Sequence, residues 1–72
     1  MEFDGEKLRR LRKAKKLSLP KMAEAVRFIT KRPTSPEAVR KWELKGVHPR
    51  ADVLIALAEL FELEPREFFT RG

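Results

Sequence analysis

Apolar residues in this 72-residue chain recur every three or four positions and nowhere alternate. Leu8 and Leu11, then Met22, Ala23 and Val26, then Val39 and Trp42 fall at spacings that place them on single helix faces. Val53, Leu54, Leu57, Ala58, Leu60 and Phe61 continue the pattern into a strongly apolar fourth segment. No stretch shows the period-two signal of a strand, so the expected fold class is all-α. Cysteine is absent, which excludes disulfides and thiolate metal sites and leaves packing alone to hold the chain together.

Punctuation divides the chain into five short helices. The first spans about residues 4 to 16, with Lys7, Arg9, Arg10, Lys13 and Lys16 on its other faces. Ser18 reads as an N-cap, with Pro20 tolerated in the first turn of a second helix. Its end is open, because Arg27 to Arg32 contains no breaker before Pro33. The sharpest start signal is Ser35-Pro36-Glu37, a hydroxyl cap, a proline at N1 and an anion near the positive helix end. That third helix runs to about Leu44, with Gly46 as its terminator. A fourth follows Pro49, and Glu64-Pro65-Arg66 opens a last helical turn carrying Phe68 and Phe69. The whole chain, 1–72, reads as one domain with its core in 5–69.

Charge is unevenly distributed. The net charge is +6, but residues 1–50 carry fifteen basic and six acidic groups, whereas residues 51–72 carry two and five. Solubility alone accounts for a basic excess; it accounts less well for this asymmetry, which favours a polyanion at one end of the molecule. With one histidine and no tyrosine, the usual acid–base and nucleophile constellations cannot be assembled, so no enzyme is expected. No cofactor or metal is expected either; His48 has no second ligand at suitable spacing and reads as loop. Asparagine and glutamine are also missing while charged residues reach 39%, a pairing typical of proteins built for heat. No apolar run approaches the roughly 18 residues needed to span a bilayer. The start Met1-Glu2-Phe3-Asp4 lacks the form of a signal peptide, so a soluble cytoplasmic protein of a prokaryotic cell or phage-infected host is expected.

Several of these pieces form a recognisable series. Gly5-Glu6-Lys7-Leu8-Arg9-Arg10-Leu11-Arg12 is followed by Leu17-Ser18 with Met22-Ala23, then Ser35 with Val39 and Trp42-Glu43. Gly46, Pro49, Leu57-Ala58, Phe61, Leu63 and Phe68 complete it. In this order they resemble the compact five-helix, lambda-repressor-like helix-turn-helix domain of Cro-type (XRE family) regulators. The chain departs from that family between Ala23 and Glu43, where it is several residues longer and lacks the family's turn glycine. Glu43-Leu44-Lys45-Gly46 carries one extra residue, Glu62 stands where the family has a glycine after the fourth helix, and Leu19 replaces a frequent glutamine.

The resemblance implies binding to double-stranded DNA, with the third helix in the major groove and the second crossing the phosphate backbone. Transferred to this chain, Glu37, Arg40 and Lys41 face base edges, although Glu37 is better suited to complementing the helix dipole. Phosphate contacts fall to Lys21, Ser35, Lys45 and Arg50. Arg27, Lys31 and Arg32 either extend that footprint or solubilise a longer helix. Arg12 and Glu43 stand where the family often has an ion pair bracing the first helix against the third. Since adenine is normally read by Asn or Gln, an operator dominated by G·C contacts is expected. A homodimer on DNA would use Leu63, Phe68 and Phe69, unless these simply close the core. The alternative partner is a regulatory protein or RNA polymerase gripped by the same fold.

Overall fold

The computed structural model describes residues 2–70. Four α-helices follow one another: α1 (Gly5–Ala14), α2 (Leu19–Thr30), α3 (Pro36–Lys45) and α4 (Ala51–Phe61). The expected fifth helix is instead a short 3-10 turn, Pro65–Phe68. Two-residue strands, β1 (Glu2–Phe3) and β2 (Phe69–Thr70), pair antiparallel with Phe3 opposite Phe69. Two residues are too few to display a period, which is why the sequence pattern contains no trace of this ladder. Phe3 is buried there, stacked on Phe68 with centroids 6.1 Å apart and meeting Phe69 edge-on. The class remains all-α.

Local chemistry explains where each helix begins and ends. The side-chain oxygens of Asp4, Ser18 and Ser35 accept the backbone N–H groups of Lys7, Lys21 and Ala38 at 3.0, 3.2 and 3.1 Å. The first helix stops at Ala14 rather than near residue 16 because Lys16 turns left-handed. The N–H of Leu17 then reaches back to the Arg12 carbonyl, a Schellman closure. Glu62 ends α4 in the same way, at φ +56°. A glycine would carry no steric penalty at that φ; a residue with a side chain carries roughly 1–2 kcal/mol.

The open end of the second helix is resolved by its length. Helix α2 continues for 12 residues to Thr30, and Lys31 ends it at φ +63°. Residues 31–35 form the connection, in which Thr30 Oγ1 accepts the Arg32 N–H and the Thr34 hydroxyl donates to the Arg32 carbonyl.

Helix α2 lies at the centre, packed against both α3 and α4, while α1 packs on α3. Leu8, Met22, Val26, Val39, Leu57 and Phe68 are fully buried between these elements. Gly5 lets the start of α1 sit directly on the end of α3. A Cβ at Gly5 would lie 2.5 Å from the Glu43 carbonyl oxygen and collide with that of Trp42. No helix among the described residues is long and apolar enough to cross a membrane.

Candidate nucleic-acid interface

The Ser35 cap and Pro36 start a helix whose two faces differ sharply. Val39, Trp42 and Glu43 are buried. Glu37, Arg40, Lys41, Leu44 and Lys45 are exposed and together line a shallow hollow of about 280 Å³ along the outside of α3. Their spacing is the i, i+3, i+4, i+7, i+8 repeat of one helix face. Arg40, Lys41, Lys45 and Glu37 have no ion-pair partner among the described residues. Their charges therefore stand open to an external ligand. Leu44, 57% exposed, belongs to this face although sequence reasoning passed over it. Its position four residues after Arg40 was the available signal.

Beneath that face lies a buried ion pair. Arg12 Nε donates to Glu43 Oε2 at 2.6 Å and Arg12 Nη2 to Glu43 Oε1 at 3.1 Å. The remaining terminal nitrogen, Nη1, donates to the Leu17 carbonyl at 2.7 Å. Two parallel bonds fix both the distance and the relative orientation of α1 and α3. The guanidinium also ties the α1–α2 turn to the same point.

The other residues singled out from the sequence fall into two groups. Arg32 and Arg50 meet around Asp52 in the first turn of α4, with Nε to carboxylate distances of 3.4 and 3.5 Å. In each the closest approach is through Nε, and both arginine side chains remain more than half exposed. Ser35 and Arg50 border a cleft of about 310 Å³ beside the start of α3, floored in part by Trp42. Asp52, which joins the α2–α3 connection to α4, had no signature in the sequence; its role depends on residues brought together only by the fold.

Lys21, Arg27 and Lys31 sit elsewhere. They surround Phe28 on the outward side of α2, in two hollows lined by residues of α2, Lys31 and Leu60 of α4, with nothing from α3. Phe68 is fully buried, so this residue closes the core and is unavailable as a dimer contact. Phe69 and Leu63 are half-buried against that core. The His48 ring packs on Phe69 at 5.1 Å.

The chain thus presents a capped, outward-facing third helix set against the helix before it. A family model described as helix-turn-helix matches residues 8–68, most of the chain. The protein belongs to the lambda-repressor-like helix-turn-helix family. Members of this helix-turn-helix family are DNA-binding regulators of the XRE type, and they are not generally enzymes. No match is found among curated proteins or among solved structures. In helix-turn-helix domains the recognition helix lies in the major groove.

Proposed function

We infer that this helix-turn-helix protein is a sequence-specific regulator, a repressor or Cro-like factor, that reads the major groove of double-stranded DNA with α3. The observation that carries the reading is the exposed row Glu37, Arg40, Lys41 and Lys45, without an ion-pair partner among the described residues, on a helix clamped from behind by Arg12 and Glu43. Arg40 and Lys41 donate to guanine O6 and N7, and Glu37 accepts from the cytosine amino group. Leu44 supplies an apolar contact for a thymine methyl. Ser35, Lys45, Arg50 and Arg32 meet phosphates along the rim. Both arginine side chains remain more than half exposed beside Asp52, which suits this.

Two copies occupying half-sites about 34 Å apart would pair through Leu63 and Phe69, the half-buried members of the C-terminal apolar group. Selection of bound sequences from a random duplex pool tests the assignment. The expected consensus is dominated by G·C pairs at contacted positions. A consensus of A·T pairs alone, or no enrichment at all, overturns it. Ultracentrifugation with and without the selected duplex tests the pairing; a strict monomer on DNA overturns that part.

A further inference from the structure

The exposed surface of α2 has a composition that DNA recognition by α3 does not use. Phe28 is 74% exposed, an unusual position for a large aromatic side chain. Phe28 lines two hollows of about 340 and 360 Å³. Ala25, Ile29 and Leu60 add apolar surface to the first, and Lys21, Arg27 and Lys31 supply the cations around both. Lys31 Nζ lies 4.6 Å from the ring centroid. Glu24 is the acidic residue common to the two hollows. An apolar centre with a polar rim is the arrangement of a protein-binding site rather than of a solvated helix face.

We propose that this surface docks an acidic amphipathic helical segment of another protein, and does so while α3 is engaged with DNA. The apolar side chains of such a segment, spaced at helical intervals, fill the hollows beside Phe28, and its carboxylates meet Lys21, Arg27 and Lys31. The cationic rim decides the sign of the partner's charge. It also argues against a second copy of this chain, because a two-fold pairing of the same surface would set one cationic rim against another. No residue of α3 lines either hollow, so a segment seated beside Phe28 leaves the Arg40 and Lys41 face of that helix uncovered.

The test uses the full chain, immobilised and panned against a display library of random peptides of about four helical turns. The expected winners are acidic, with bulky apolar residues three or four apart. Titrated into the nitrogen-15-labelled protein, a synthesised winner shifts amides from Lys21 to Lys31 and at Leu60. Phe28→Ser lowers its affinity by about tenfold or more, as removal of a central aromatic contact does. Because Phe28 is exposed, this variant stays folded, its melting temperature falling only by the few degrees that loss of the Lys31 contact allows, and it keeps its affinity for duplex DNA. A paired charge reversal, Arg27→Glu with Lys31→Glu, also weakens binding of the acidic winner. The proposal is overturned if no peptides are enriched, if winners are not acidic, or if their footprint lies on α3. It is equally overturned if Phe28→Ser binds unchanged, if DNA and peptide exclude one another, or if Phe28→Ser abolishes self-association, which would make a second copy the occupant.

Discussion

On α3, Arg40, Lys41 and Lys45 share a face with Leu44, and the helix is held from behind by a buried ion pair and by the close seat of Gly5. On α2, Lys21, Arg27 and Lys31 surround an exposed phenylalanine, and one of them lies over its ring. Equal numbers of cations on two packed helices thus make different surfaces. Open charges on a rigidly aimed helix suit the repeating phosphates and base edges of a duplex, for which orientation matters most. Cations around an apolar centre suit a partner that loses water over the ring. Net charge alone assigns neither ligand; what stands among the charges, and how firmly the helix is held, does.

The largest expected effect comes from the clamp. Glu43→Ala leaves the Arg12 guanidinium buried without its carboxylate, and removing one partner of a buried pair costs about 3–5 kcal/mol. For a domain of this size each kcal/mol lowers the melting temperature by roughly 4–8 °C, so a melt followed by circular dichroism should shift by well over about 10 °C. Replacing both partners with apolar residues, Arg12→Met with Glu43→Leu, restores much of that stability. DNA affinity should stay low in the double variant, because nothing then fixes the angle of α3. Recovery of both properties would show that the pair holds the fold without aiming the helix.

Next in size is Arg40→Ala. A bidentate contact to guanine is worth about 1–3 kcal/mol of discrimination, so specific affinity should fall roughly fivefold to 150-fold while binding to unrelated duplex changes far less. Mobility shifts on selected and scrambled duplexes measure both. Lys45→Ala and Arg50→Ala should weaken all sequences together, each flattening the log–log salt dependence by about 0.9. Arg27→Ala sharpens the contrast: it sits with Phe28, so the salt slope should not move. A slope change at Arg27 equal to that at Lys45 would merge the two surfaces into one DNA footprint.

Much of the frame was legible because its signals are local. The Ser35-Pro36-Glu37 start depends only on a hydroxyl, a fixed φ and a nearby charge, and the inward pairing of Val39 with Trp42 depends only on helix pitch. The last helix was misread because Pro65 and the aromatic residues after it signal a helical start, but the chain leaves after one 3-10 turn to pair Phe69 with Phe3. That pairing joins the two ends of the described chain, and local pattern does not report it. Arg50 read as a phosphate contact and Arg32 as either an extension of that footprint or a solubilising charge; their common partner Asp52 exists through the fold. Phe28 was within reach. It falls off the Met22, Val26 and Ile29 stripe, and an aromatic residue off the buried stripe of a helix must face outward.

The smallest expected effect bears on the same contrast at the helix ends. Gly46 and Lys31 end α3 and α2 in nearly the same left-handed conformation, with φ of +61° and +63°, but only α3 ends on the residue that adopts it freely. Glu62 ends α4 at +56° with no ion pair among the described residues. Glu62→Gly removes steric strain of about 1–2 kcal/mol and adds roughly 0.5–1 kcal/mol of unfolded-state entropy. The net gain, about 0.5–1 kcal/mol, raises the melting temperature by a few degrees. Lys31→Gly gains the same amount but loses the cation over Phe28, worth about 0.5–1 kcal/mol at an exposed site, so its melting temperature should stay nearly unchanged. Paired melts of the two variants decide whether that lysine is held in a strained conformation by its contact with the ring. An equal rise in both would mean the contact contributes nothing, and the rim around Phe28 would lose its ordered cation.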